Sequence, residues 1–435
     1  MADSSEDTLL AKDYIKFSQG QEGLFSGDDE LKDGLIKVKN KISDLSNVKN
    51  VHFLLGAGAS SDSIPAMKEM LEKIQGILDG DELKNNLEGV YSDADIDDKV
   101  SRLVKRYERI YKTSKAKPEN KGNANLEEIL GSLYSYRSYR EAVGYELGGV
   151  EALVTIIEKE IYNQINIDLE TEKAKLSLGL YQKLYQKLSL RNKDLARVNV
   201  FTTNNDLLSE KALDYLNINY NNGFGGGLTR VFNPARFSYT FSRKIDSNLE
   251  KYEPLENMVY LYKLHGSISW IQSEDNSFFE IQEVSVSHGD PRPDENVLIY
   301  PTPLKQNKSL GSPYADLIRE FQKKLLLPNS VLFVIGYSFS DEHINNIIYQ
   351  ALASNPSISI VVFGDYQDEN LFKVEDRRVY KISGYADADK NEKIHYFKYI
   401  VNELIPDLDE NKDTELLKEF LKNLKGLNKL DGGNP

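Results

Sequence analysis

The sequence predicts a doubly wound, mostly parallel α/β sheet carrying a large inserted helical subdomain. Three observations predict it. Short, almost wholly apolar runs rich in β-branched residues recur along the chain. Helical patterns alternate with them. One interval between two of the runs is far longer than a crossover helix requires.

The runs, in order, are VHFLL (51–55), VNVFTT (198–203), VYLYKL (259–264), VLIYP (297–301), VLFVIG (331–336) and ISIVVF (358–363), with a weaker seventh, VYKI (379–382). They are apolar throughout rather than alternating, which suits strands covered on both faces by helices. Helical patterns are read at Ala66 to Leu78, Leu207 to Leu216, Tyr314 to Leu327 and Glu342 to Ala353. Between the first two strands, residues 67–197 read as helices such as LKNNLEGVY, DIDDKVSRLVKRYERIYK and VEALVTIIEKEIYNQI, broken by the polar loop TSKAKPENKGNA. The expected organisation is an N-terminal helical extension (1–47), a Rossmann-like domain in two pieces (48–66 and 198–405), the helical insert (67–197), and a C-terminal amphipathic helix and tail (406–435). That last helix would place Leu416, Leu417, Phe420, Leu421 and Leu424 on one side. It is expected to dock on the domain or serve an oligomer or partner contact.

Composition narrows the function. A 435-residue chain with 40% hydrophobic residues can bury a sizeable core. Its net charge of -14 argues against a nucleic-acid surface. One stretch departs from this: eight Lys/Arg and two Glu lie between Arg102 and Lys121, read as a solvated helix face running into a loop, with a site for an anionic partner as the alternative. With no cysteine, disulfides, thiolate metal sites and a cysteine nucleophile are excluded. The N-terminus MADSSEDTLLAKDY is polar and acidic, and no apolar run approaches the ~20 residues of a bilayer span, so a soluble, cytoplasmic protein is expected.

Polar chemistry gathers where the strands end. GAGAS follows the first strand, Asn204-Asn205-Asp206 the second, His265-Gly266-Ser267 the third, GYSFSDEH the fifth and GDYQD the sixth. Ligands of open α/β sheets bind at the carboxyl ends of the strands. Gly56 and Gly58 permit a tight turn and close backbone approach, and a helix opening there would favour a phosphate. Asn204 and Asp206 suit a helix cap as well as a ligand, and Ser338 or Ser340 could cap the helix after the fifth strand. His265 stands at a strand end; His52, His288, His343 and His395 have no comparable setting. There is no GxxxxGK[ST], no G-x-S-x-G and no HExxH.

In this order, GAGAS with Ile64-Pro65, Thr202-Thr203-Asn204-Asn205-Asp206, His265-Gly266 and the late strand end with Gly336 and Ser338 resemble the sirtuin fold. The chain is most similar to the sirtuin-like NADase branch of bacterial antiphage defence systems. That similarity rests on TTNND, Asn222-Gly223-Phe224-Gly225, KLHGSISW (Lys263 to Trp270) and GYSFSDEHIN (Gly336 to Asn345). The resemblance covers about 51–66 and 198–365. It implies that NAD lies across the strand ends as substrate, with no metal. Gly56, Ala57, Gly58, Ser60 and Ser61 would cradle the pyrophosphate. Asn204 and Asp206 would hold the nicotinamide-ribose side, His265 would be the general base with Gly266 beside it, and Gly336 and Ser338 would meet the adenosine ribose. Relatives of this kind work with a HerA-type ATPase, an Argonaute-like protein or a fused sensor. A homo-oligomer and a separate partner are expected here, since little chain follows residue 405, and neither direct nucleic-acid binding nor a membrane contact is. Two departures argue against a protein deacylase: the four cysteines of the zinc ribbon are absent, and Pro65 is followed by Ala-Met-Lys rather than leading to Phe-Arg. Asp62-Ser63 also replaces the usual glycine before Ile-Pro. A non-catalytic sensor of NAD or ADP-ribose is the alternative.

Overall fold

The computed structural model describes residues 9–78, 96–120, 122–189, 191, 194–246, 250–273, 281–293, 296–298, 312–366 and 369–406. The expected helix LKNNLEGVY, the C-terminal amphipathic helix beyond residue 406, and the end of GDYQD lie outside them.

The central sheet has nine strands: β1 (Ile15–Gln19), β2 (Glu22–Gly23), β3 (Asn50–Leu55), β4 (Val198–Thr202), β5 (Asn219–Asn221), β6 (Met258–Lys263), β7 (Ser330–Ile335), β8 (Ile358–Phe363) and β9 (Val379–Gly384). Their order is β2-β1-β9-β8-β7-β3-β4-β6-β5. β3 to β9 run parallel, while β1 pairs antiparallel with β9 and β2 with β1. The doubly wound parallel sheet read in the sequence is thus observed. The described residues of VLIYP, Val297 and Leu298, are not part of it. Asn296–Leu298 pairs antiparallel with Gly266–Gln272 in a second, five-stranded sheet, and residues 299–301 lie outside the described set. An apolar run fits either kind of buried strand, so periodicity could not choose between the sheets. β1 and β2 lie in the stretch expected as a helical extension (1–47), which thus also contributes to the sheet; β1 is short and alternates, with Ile15 and Phe17 inward and Lys16 exposed, as an edge-side strand does.

Every residue of β3, β4 and β7 is buried, because side chains alternate between two covered faces. Val51, Phe53, Leu55, Val200 and Phe333 meet α1 (Leu31–Ser46), α6 (Glu172–Ser189) and α7 (Leu208–Tyr215) on one face. Leu54, Phe201, Tyr262, Leu332 and Val334 meet α8 (Tyr314–Leu325) and α9 (Glu342–Ser354) on the other. In α8 the buried residues Tyr314, Leu317, Phe321 and Leu325 follow helical spacing, which fixes the face it turns inward.

Four further long helices among the described residues are α2 (Met67–Leu78), α3 (Ile96–Ala116), α4 (Leu126–Ala142) and α5 (Gly148–Ile165). They form a core of their own around Leu71, Ile74, Ile129, Leu133, Val154 and Ile157, with Ile268 and Val286 contributed from beyond β6. The Asn125 side chain caps α4 by accepting from the Glu127 amide at 2.8 Å. On α3, Arg102, Lys105, Arg106, Arg109 and Lys112 are exposed as the basic stretch suggested, and the Arg106 guanidinium sits 3.9 Å from the centre of the Tyr136 ring. No helix among the described residues is long and apolar enough to cross a membrane.

Candidate active site

The register of the sheet sets the site. Leu55 is opposite both Thr202 of β4 and Ile335 of β7, and Thr202 is opposite Lys263 of β6. The residues that follow these four positions therefore leave the sheet side by side. The chain winds from β3 through β4 to β6 in one direction and from β7 through β8 to β9 in the other. The crevice between β3 and β7 is thus the topological switch point where such sheets bind ligands.

Three glycines close that crevice at backbone distance. The Gly58 amide donates to the Gly336 carbonyl at 2.9 Å, and the Gly56 amide to the Ile335 carbonyl at 2.9 Å. A Cβ on Gly56 would lie 2.5 Å from the Gly336 oxygen, and one on Gly58 2.7 Å from the Gly336 Cα. Gly336 itself has φ +64°, a conformation open to glycine at little cost. The turn after β3 differs from expectation in one respect. A short 3₁₀ turn, Ala57–Ala59, follows the strand, and α2 begins only at Met67, so no long helix opens at GAGAS. The amides of Gly56, Gly58, Ala59 and Ser60 are all engaged in backbone hydrogen bonds.

A cleft of about 290 Å³ lies over these loops. Ala57, Gly58, Ser60, Ser61, Asn204, Asp206, His265 and Ser338 line it; Gly56, Gly266 and Gly336 do not. Its opposite wall is mostly apolar and comes from the helical layer: Met67 and Met70 of α2, Leu126 and the charged Glu127 of α4, Ile161 and Ile165 of α5, with Ile64 and Pro65.

Ser60 is buried, and its hydroxyl donates to Asp206 Oδ2 at 3.0 Å while pairing with the Tyr181 hydroxyl at 2.8 Å. Asn204 Nδ2 donates to the same Ser60 oxygen at 3.1 Å. Asp206 Oδ1 accepts from the Leu208 amide at 2.9 Å, so this carboxylate anchors the start of α7 and supports Asn204 through Ser60. Burial, and then the Asp206 carboxylate, push the Tyr181 phenol well above its ordinary range, which keeps it a neutral hydroxyl. Ser61 and Ser338 are exposed, bonded to the Gly58 carbonyl and to Ser340 respectively.

Beneath the cleft, Lys263 is 2% exposed and pairs with Glu210 Oε1 at 2.9 Å. Its ammonium also donates to the Asp206 carbonyl. Burial raises the Glu210 carboxyl, opposed by the Lys263 charge. The Asn205 amide donates to the carbonyl of His265 at 2.8 Å, which ties the loop after β4 to the loop after β6. His265 Nε2 lies 2.9 Å from Asp341 Oδ2. Asp341 also corrects the sequence reading of α9: its Oδ1 accepts from the His343 amide at 2.9 Å, so it, and not Ser338 or Ser340, caps that helix.

Sequence reasoning missed Tyr181, Lys263 and Asp341. Tyr181 gave no signal, being one aromatic in a helical pattern. Asp341, an acid immediately before a helix, was a visible cap candidate. The quoted motifs also contain residues far from chemistry. Trp270 is 1% exposed and packs 5.0 Å from Phe224. Asn345 donates to the Phe339 carbonyl at 2.6 Å and only braces the loop after β7. Among the described residues, no cluster of three or more His, Asp or Glu is placed to hold a metal.

No curated protein matches the chain. A family model does: residues 198–381, which run from β4 into β9 and carry Asn204, His265 and Asp341, match the SIR2-like domain. This match supports a sirtuin-like family and an NAD-related function for the domain that bears the cleft.

Proposed function

We propose that the protein is an NAD⁺ glycohydrolase that cleaves the nicotinamide–ribose bond to give nicotinamide and ADP-ribose. The observation that carries this is the convergence of Asn204, Asp206 and His265 on one cleft at the switch point, over a seam of glycines that admits nothing larger.

NAD lies over the β3 and β7 loops in this reading, with the ribose toward Asn204 and His265. The C1′–N bond breaks and nicotinamide leaves with the bonding pair. The leaving ring is already cationic, so no acid is needed, and an oxocarbenium-like carbon remains. Asn204 Nδ2 is held by Ser60, which leaves its Oδ1 to order a water without adding charge beside that carbon. Water adds to C1′, and its proton passes to His265 and on to solvent. The apolar wall of Met70, Ile161 and Ile165 offers the departing neutral ring a dry surface.

We extend the proposal to biology on the resemblance alone. The activity serves antiphage defence and is latent, released by a separate partner or by self-assembly, because unchecked NAD cleavage would kill the host. The test is nicotinamide release by the purified protein and its His265→Ala variant, alone and with lysate from phage-infected cells. His265→Ala should lower release by roughly 10²–10⁴-fold with the fold intact. Equal release by both proteins refutes the assignment. Tight NAD binding with no release in either condition points instead to a sensor.

A further inference from the structure

The geometry points to Asp341 as a positioning residue: we propose that its carboxylate holds the His265 ring through Nε2, so that Nδ1 is the nitrogen that accepts the proton. The proposal deepens the hydrolase reading and rests on it for the identity of the reaction.

The two oxygens of Asp341 have separate tasks. Oδ1 accepts from the amides of His343 and Ile344 at 2.9 and 3.4 Å, which fixes the carboxylate to the start of α9. Oδ2 faces His265 Nε2 at 2.9 Å. Among the described residues, no other side chain or amide is hydrogen-bonded to the His265 ring. An ionised carboxylate only accepts, so Nε2 must carry the hydrogen, and the neutral ring then has its lone pair on Nδ1. That is the tautomer a base needs, and the partner of the other nitrogen selects it.

The backbone that carries Asp341 is also held from behind. Asp341 is 8% exposed. The Tyr337 hydroxyl lies 3.1 Å from its carbonyl oxygen and 2.9 Å from Asn345 Oδ1, and Asn345 in turn binds the Phe339 carbonyl. Phe339 adopts φ 58°, an uncommon conformation for an aromatic residue, and Asn345 braces it. The loop is built to a fixed shape. It reaches His265 from β7, which is separated from β6 in the sheet by β3 and β4. An imidazole held across two intervening strand ends cannot rotate away when substrate enters.

Capping alone is the rival account, and Asp341→Ser separates the two. Serine caps a helix as well as aspartate does, but it is too short to reach His265. Asp341→Asn keeps both size and cap but offers an amide that can donate, which favours the wrong tautomer. The first measurement is the ¹⁵N imidazole spectrum of the full-length free protein, with His265 assigned by its loss in His265→Gln. Wild type should show the Nε2–H form, and Asp341→Ser a mixture of tautomers. The second is nicotinamide release. Both variants should lose about 10²–10⁴-fold in kcat while the Kd for NAD and the urea midpoint stay at wild-type values. An Nδ1–H tautomer in wild type, or Asp341→Ser with wild-type tautomer and kcat, overturns the proposal. If wild type releases no nicotinamide either alone or with lysate from phage-infected cells, the hydrolase reading fails, and the tautomer spectra still decide the role of Asp341.

Discussion

Replacing Gly56 by alanine tests whether the glycine seam holds the two halves of the site together. The backbone of Gly56 has φ -104°, so alanine is not strained by its own conformation. The cost is steric. Its Cβ would stand 2.5 Å from both the Gly336 oxygen and the Tyr337 Cα, whereas ordinary contact begins at 3.4 Å. Both obstacles are backbone, so the loops after β3 and β7 must part by roughly 1 Å. That stretches the 2.9 Å bond from the Gly58 amide to the Gly336 carbonyl beyond useful length. Overpacking costs about 1–3 kcal/mol and the lost hydrogen bond about 1 kcal/mol, so Gly56→Ala should destabilise by roughly 2–4 kcal/mol. Urea unfolding measures it. Gly179, inside α6, is the control: nothing lies within 4 Å of its added Cβ, and Gly179→Ala should stabilise by about 0.5–1 kcal/mol. A Gly56→Ala protein with the wild-type midpoint would refute the steric argument and the seam with it.

Two further outcomes are expected. Burial, reinforced by the Lys324 charge, pushes the His52 imidazole down to about 3 from 6.5. Between those values the unfolded chain binds a proton that the folded protein refuses. This group therefore contributes stability above about pH 6.5, lost at about 1.4 kcal/mol per unit as pH falls toward 3. His52→Leu should lose about 2 kcal/mol less than wild type between pH 7 and pH 5, and parallel urea midpoints in the two proteins would contradict this. Lys263→Met strands the buried Glu210 carboxylate and should cost roughly 3–5 kcal/mol, while adding Glu210→Leu should restore most of it; a double variant no more stable than the single one would show that the pair is not what matters.

The sheet was legible because a strand covered on both faces cannot hide its composition: 51–55, 198–203, 259–264, 331–336 and 358–363 all proved to be central strands. VLIYP carried the same signal, and its described residues Val297 and Leu298 lie in the strand of the other sheet, since an apolar run reports burial and not its neighbour. The loops were legible as a set, through the rule that strand ends make sites, and the cleft gathers Asn204, Asp206 and His265 as that rule implies. The bonds that aim them were not. Ser60 reads as part of a phosphate loop, yet it is a buried junction between Asn204, Asp206 and a tyrosine from α6. Such partners are 121 to 146 residues apart, and no local pattern encodes a contact at that separation.

The apolar wall has a consequence for how the protein can be cut or controlled. Six of the residues that line the cleft are supplied by α2, α4 and α5, which share almost none of the sheet's core. A trimmed version keeping only the strands and their loops would retain Asn204, Asp206 and His265 and still open the cleft to bulk water. Conversely, a ligand or protein that grips the outside of these helices needs no relay through the sheet to be felt in the cleft. Sliding the helical layer by the thickness of one methylene group resizes the chamber directly, with each strand-end residue left where it was.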